Sequence, residues 1–187
     1  MEHSLKERPL VILDRDGTII RDHGYSPDSV DVQLLDGALE GLSMLAQSGR
    51  RLAIATNQSG VGYGYFSASS VQVTNEMLRA RLAEHEIRID AIAVCYHRSD
   101  DTCGCRKPAP GLAHQIAREL GVSLCKSVVI GDKLCDIGLA MAIGAYGILV
   151  APKRGVAPIV GQVATVPDLT SAASVILADR WPPHFWK

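Results

Sequence analysis

The chain has 187 residues, 47% of them hydrophobic and 21% charged, with a formal net charge of −1. That balance speaks against an electrostatic grip on nucleic acid or on an anionic membrane, and no apolar run approaches the length that spans a bilayer. No basic and then apolar leader opens the sequence, so a cytoplasmic protein is expected, with residues 1–187 forming one ordinary domain.

The first element is PLVILD at 9–14, an apolar run that reads as a buried strand. It delivers two carboxylates, Asp14 and Asp16, before Gly17 breaks the pattern. Charge buried at a strand end is costly unless something compensates it. Asp36 is expected to cap a helix through ALEGLSMLAQS, which Gly49 stops. RLAIAT at 51–56 is a second strand, and Ser67 then opens a longer helix to about Glu86, with Val71, Met77, Leu78 and Leu82 at helical spacing. AIAVCY at 91–96 is a third strand. Pro110 suits the first turn of a helix through AHQIAREL, which ends at Gly121. SVVIGD at 127–132 and YGILVA at 146–151 are further strands with a short helix, DIGLAMAIG, between them. QVATVPD at 162–168 is a weaker strand, and LTSAASVILA is the last helix.

Strands alternating with helices in this way predict βαβ crossovers. The fold class is α/β, a Rossmann-like and mainly parallel sheet covered by helices on both faces.

In such a sheet the site lies outside the carboxyl ends of the strands. Asp14, Asp16, Thr56, Asn57, Gln58, Ser59, Asp132 and Lys133 gather there, and Arg106 and Lys107 precede the helix that feeds the fourth strand. Carboxylates, a hydroxyl, amides and cations around one crevice suit a Mg²⁺ ion and a phosphoryl group together. Asp14 suits a nucleophile that also binds metal. Asp16 suits the group that protonates the leaving oxygen and later takes a proton from water. Lys107 and the Thr56 hydroxyl suit the remaining phosphoryl oxygens.

Five cysteines, an odd number, argue against a closed disulfide framework. Cys95, His97, Cys103 and Cys105 in CYHRSDDTCGC fit a closed, tetrahedral, structural Zn²⁺ site in a reducing compartment. With no open position, that zinc is expected to do no chemistry. It is expected to order the loop leading into Arg106 and Lys107, a contribution on the order of 10 kcal/mol. Cys125 and Cys135 lack such neighbours and read as core or incidental thiols.

DRDGT (14–18), TNQSG (56–60), RKP (106–108) and GDKLCD (131–136) together resemble the signature of the haloacid-dehalogenase (HAD) superfamily of phosphatases. LDRDGTI, DHGY (22–25), TNQSG, CRKPAPG and GDKL resemble, within it, the D-glycero-D-manno-heptose-1,7-bisphosphate phosphatases, relatives of the histidinol-phosphate phosphatases. The resemblance implies a HAD fold without a large cap domain, carrying a short zinc-binding loop instead. It implies a Mg²⁺-dependent enzyme that hydrolyses a sugar phosphate through an aspartyl phosphate. The substrate it points to is the 7-phosphate of the heptose bisphosphate, in heptose biosynthesis for lipopolysaccharide; histidinol phosphate or another small phosphomonoester is the alternative.

It further implies that Asp14, the backbone carbonyl of Asp16, and Asp132 hold Mg²⁺. Asp22, His23, Gly24, Tyr25, Asn57, Gln58, Ser59, Arg106 and Lys133 would then touch substrate. Asp136 is read either as orienting metal-bound water or Lys133, or as an ordinary helix cap. The chain departs from the family pattern after TNQSG, where VGYGYFS places Tyr63 and Tyr65 instead of basic residues. That aromatic pair either stacks on a sugar ring or packs a neighbouring helix.

Two rivals fit less well. A phosphoacceptor receiver domain places its aspartate at the end of the third strand, which here ends in CYH. A zinc module for nucleic acid needs a basic face with aromatics. The expected partner is therefore a small sugar phosphate, with neither nucleic acid nor membrane, and the expected state is a monomer. The aromatic tail WPPHFWK is expected to dock on the domain surface or on a partner.

Overall fold

The computed structural model describes residues 9–24, 32–151, 157–160 and 163–178. Tyr25, His3, His184 and the tail WPPHFWK lie outside them.

The apolar run at the start becomes β1 (Leu10–Leu13), every residue of which is buried. Period-two alternation sends its side chains to two cores. Val11 and Leu13 join Leu42, Leu45, Leu78, Leu82 and Ile176 on one face, while Leu10 and Ile12 join Leu112, Ile116 and Leu139 on the other. A strand with apolar side chains on both faces belongs in the middle of a covered sheet.

The remaining strands are β2 (Arg51–Asn57), β3 (Ala91–Cys95), β4 (Val128–Gly131), β5 (Tyr146–Val150), β6 (Ala157–Val160) and β7 (Val163–Val166). They form one sheet in the order β3-β2-β1-β4-β5-β7-β6, with β6 alone running antiparallel. The helices are α1 (Ala38–Gln47), α2 (Ser59–Gly62), α3 (Ala68–Ala83), α4 (Gly111–Leu120), α5 (Leu134–Ala142) and α6 (Leu169–Leu177). The chain winds outward from β1 to β3 on one side, then returns to lay β4 on the other side of β1. The crevice of an open α/β sheet forms at such a reversal, here between the ends of β1 and β4. Asp14 N donates to Ile130 O at 2.8 Å, so the pairing continues into the first acid and fixes it beside the fourth strand.

Three expectations need correction. Asp36 does not cap α1; the cap position is Gly37, at φ 75°, and no side chain caps the helix. The positive φ there suits glycine and turns the chain without a capping carboxylate. The long helix ends at Ala83, short of Glu86, although Ser67 caps it as expected through Ser70 N at 3.1 Å. The hairpin partner β6 went unexpected because Pro158 interrupts its apolar run; an edge strand tolerates a proline that a central one does not.

Candidate active site and metal centres

Lys107 is the centre of the site. Its Nζ donates to Asp14 Oδ1 and to the backbone oxygen of Ala55, each at 2.6 Å, and forms an ion pair with Asp136 Oδ1 at 2.6 Å. An ammonium has three protons; two hydrogen bonds go to Asp14 and Ala55, and Asp136 stands beside the ammonium as a charge partner. Lys107, Asp14 and Asp136 are each buried. Burial alone pulls Lys107 down, but Asp14 and Asp136 outweigh it and hold the ammonium charged above its usual range. Burial pushes Asp14 up, with Lys107 opposing and the Asp136 charge adding.

Asp132 completes a cluster. Asp14, Asp132 and Asp136 each bring an oxygen within 4.8 Å of the others. Burial pushes the Asp132 carboxyl up to about 6, with Lys133 opposing and Asp14 and Asp136 adding. Asp132 Oδ1 is buried without a hydrogen-bond partner among the described residues. Three carboxylates around one buried ammonium leave negative charge in excess, and hard oxygen donors of this kind suit Mg²⁺. The neighbouring backbone leaves room for little else: a Cβ on Gly17 would stand 2.4 Å from Asp132 Oδ2.

The Asp16 carboxylate faces different partners. Arg15 Nε and Nη2 reach its two oxygens at 3.1 to 3.2 Å, Gln58 Nε2 donates to Oδ2 at 2.6 Å, and the Thr56 hydroxyl lies 3.4 Å away. The two acids of DRD therefore point into separate environments, one among carboxylates and lysine, the other among neutral and cationic donors.

A crevice of about 350 Å³ opens over these groups. Asp14, Asp16, Asp22, His23, Gly24, Asn57, Gln58, Ser59, Arg106, Lys107 and Lys133 all line it. Several already have protein partners. The Asn57 amide bridges the Lys107 backbone, donating to its O at 3.1 Å and accepting from its N at 3.0 Å. Arg106 donates to the Ser59 hydroxyl. Lys133 Nζ lies 2.9 Å from Asp22 Oδ2, while Asp22 Oδ1 accepts from Gly24 N at 2.8 Å. Burial works to raise the Asp22 carboxyl, but the bonds from Lys133 and Gly24 hold it below its usual range.

Asp136 makes the contact of a helix cap and adds one that the sequence did not suggest. Its Oδ2 accepts from Lys133 N at 3.1 Å, capping α5, while Oδ1 meets Lys107. Arg15, Asn75 and Cys135 were also missed. Arg15 stands between the two acids, and Cys135 lines the crevice; neither carries a spacing signal of its own.

The second cluster lies where β3 ends. Cys95, His97, Cys103 and Cys105 bring their donor atoms within 4.8 Å of one another. Burial and the neighbouring Cys105 thiol push the Cys95 thiol up to about 12. Three sulfurs and an imidazole fit a four-coordinate Zn²⁺ site. The loop's outer arc is pinned separately: the Arg98 guanidinium lies 4.9 Å over the Tyr63 ring, and the Tyr63 hydroxyl bonds Ser99. Tyr63 and Tyr65 stack at 5.6 Å between centroids, and neither lines the crevice. Tyr63 thus packs against the loop at 95–105, while Tyr65 is 54% exposed.

No helix among the described residues is long and apolar enough to cross a membrane. The HAD-hydrolase-like family model matches residues 104–160. Over 175 residues, 91% of this chain and 98% of the relative, the sequence is 34% identical to the D-glycero-beta-D-manno-heptose-1,7-bisphosphate 7-phosphatase of Pseudomonas aeruginosa. It is 34% identical to the Haemophilus influenzae enzyme of the same name, across 84% of this chain and 88% of that one. The fold is similar to the crystal structure of the D,D-heptose 1,7-bisphosphate phosphatase of B. bronchiseptica complexed with magnesium and phosphate, with a TM-score of 0.80 and 32% identity over 91% of this chain and 99% of that one. The chain belongs to the D-glycero-D-manno-heptose-1,7-bisphosphate 7-phosphatase family of HAD-like hydrolases.

Proposed function

We propose that this enzyme removes the 7-phosphate of D-glycero-D-manno-heptose 1,7-bisphosphate, the reaction for which its relatives are named, and that it does so through a phosphoenzyme on Asp14. The observation that carries the reading is the buried contact of Lys107 with Asp14, set beside the excess carboxylates of Asp132 and Asp136. A carboxylate attacks a phosphate dianion only where cations offset the repulsion.

An Asp14 oxygen bonds to phosphorus as the ester P–O bond breaks. The electron pair leaves on the sugar oxygen, which takes a proton from Asp16. Asp16 then takes a proton from water while that water's oxygen attacks the aspartyl phosphate, releasing phosphate and restoring the Asp14 carboxylate. Lys107 and the Thr56 hydroxyl hold phosphoryl oxygens. Asp14, Asp132 and the backbone carbonyl of Asp16 would hold Mg²⁺, which when bound supplies charge neutralisation at the phosphoryl group. The crevice residues Asp22, His23, Gly24, Gln58, Ser59, Arg106 and Lys133 face the sugar and its second phosphate; the expected contact Tyr25 lies outside the described residues. Asn57 also belongs to this wall, while its amide steadies Lys107.

Cys95, His97, Cys103 and Cys105 hold a structural Zn²⁺ in this reading, and residues 1–187 form one catalytic domain. The enzyme acts as a monomer in the cytoplasm, the reducing compartment that suits a thiolate-rich metal site. The test is phosphate release from both anomers of the heptose bisphosphate, from histidinol phosphate and from simple sugar phosphates, compared by kcat/KM. The heptose bisphosphate is expected to lead by at least about tenfold. A lead for histidinol phosphate would reassign the substrate while leaving the chemistry in place.

A further inference from the structure

Helix α3 reaches the Asp16 carboxylate through one buried guanidinium. Arg15 is 5% exposed and Asn75, on α3, is 7% exposed. Arg15 turns Nε and Nη2 toward the two oxygens of Asp16 and donates from Nη1 to Asn75 Oδ1 at 2.8 Å. A guanidinium is planar, so fixing Nη1 at one edge fixes the direction of the fork at the other. Asn75 is 60 positions away in sequence and sits on a sixteen-residue helix, a more rigid support than the turn that carries Asp16. Gln58 Nε2 closes on Asp16 Oδ2 from a second direction at 2.6 Å.

We propose that Asn75 and Arg15 are positioning residues, which together aim the Asp16 carboxylate for proton transfer. Asn75 touches no reacting atom and acts only by orienting Arg15. The inference rests on the reading of Asp16 as the proton carrier. Small errors in aim matter in this role: a displacement of about 1 Å can cost on the order of 100-fold in rate.

The test compares two phosphomonoesters by kcat/KM, which stops at the first irreversible step and so excludes hydrolysis of the phosphoenzyme. The heptose bisphosphate releases its sugar, still carrying the second phosphate, as an alkoxide that needs a proton. p-Nitrophenyl phosphate leaves as a phenolate that needs none. Asp16→Asn sets the benchmark, with a loss of about two to four decades on the sugar phosphate and little on the aryl ester. Equal loss on both esters in Asp16→Asn overturns the proton-carrier reading itself.

Given that benchmark, Asn75→Leu is expected to lose roughly 10- to 100-fold on the sugar phosphate and less than about twofold on p-nitrophenyl phosphate. Asn75→Asp keeps the acceptor oxygen and is expected to restore the sugar-phosphate rate. Arg15→Lys, whose point charge lacks the fork, is expected to show the same selective loss and carries the test if Asn75→Leu does not fold. Equal losses on the two esters, or no loss in either Asn75→Leu or Arg15→Lys, overturn the assignment. So does an Asn75→Asp variant as impaired as Asn75→Leu.

Discussion

Lys107 Nζ lies 2.6 Å from Asp14 Oδ1 across 93 positions of sequence, with both side chains nearly sealed from solvent. Burial raises the energy of both charges; for Lys107 the two carboxylates Asp14 and Asp136 more than offset it, whereas for Asp14 Lys107 offsets it only in part and the Asp136 charge adds to it. A buried pair is weak evidence of a gain in stability, yet removing one partner is strongly destabilising, because the other charge is left unpaired.

Lys107→Met therefore strands Asp14 and Asp136. It is expected to lower kcat by about 10²- to 10³-fold and the unfolding free energy by about 3–5 kcal/mol, read from phosphate release and urea melts. Lys107→Arg should not restore the rate, because a flat fork cannot reach Asp14, Asp136 and the Ala55 carbonyl as an ammonium does. Near-normal turnover in Lys107→Met would remove the lysine from phosphoryl transfer.

Asp14→Asn should separate activity from stability. An amide cannot attack phosphorus, so turnover should vanish and no label from radioactive substrate should remain on the chain. The Asp14 carboxyl is held above its usual range by burial, so at neutral pH its ionised form is favoured more in the unfolded chain than in the folded one. The amide removes that penalty, and Lys107 keeps Asp136 and Ala55 O. The thermal midpoint is expected to be unchanged or higher, in keeping with the trade-off between site strain and stability. Measurable turnover in this variant would exclude Asp14 as the nucleophile.

What the sequence revealed follows from how local each signal is. The strand that carries Asp14 was legible because an unbroken apolar run ends at two acids, and the cluster of Cys95, His97, Cys103 and Cys105 because four donor residues crowd one loop. Lys107 was legible as a cation beside the crevice, although its three buried contacts come from elements far apart in the chain. The Arg15–Asn75 bond left no trace, since Asn75 reads only as a polar position on a helix. The Asp36 cap failed because a positive-φ glycine turns the chain into α1 instead. The β6 hairpin was hidden because pairing with β7, not strand propensity, holds a proline-containing edge in place.

Gly17→Ala should act through the metal. Gly17 stands at φ +86°, and an added Cβ would fall 2.4 Å from Asp132 Oδ2. Either the turn after β1 or the Asp132 side chain must shift, and both belong to the proposed Mg²⁺ site. The Mg²⁺ concentration for half-maximal activity is expected to rise by about 10- to 100-fold, with activity recovered at high Mg²⁺. An unchanged Mg²⁺ titration would show that Asp132 is not a ligand. In the parent enzyme, excess chelator should stop turnover, and added Mg²⁺ should restore it.

The zinc loop should govern substrate affinity more than the chemical step. Cys103 accepts a hydrogen bond from the backbone N–H of Arg106, which holds its thiol below the usual range. Arg106 in turn donates to Ser59 at the crevice wall. Lys107, one residue on, is fixed independently by Asn57, Asp14 and Asp136. Loss of zinc should therefore free Arg106 well before it disturbs Lys107. Elemental analysis is expected to find one zinc per chain. Stripping it should raise KM by about tenfold or more while kcat at saturating substrate and Mg²⁺ falls much less. Arg106→Ala should reproduce the rise in KM with zinc content unchanged, which separates the cation's contact with substrate from the loop's order. If KM and kcat both survive complete zinc removal, the loop is held by Arg98 and Tyr63 alone, and the metal has no part in presenting Arg106.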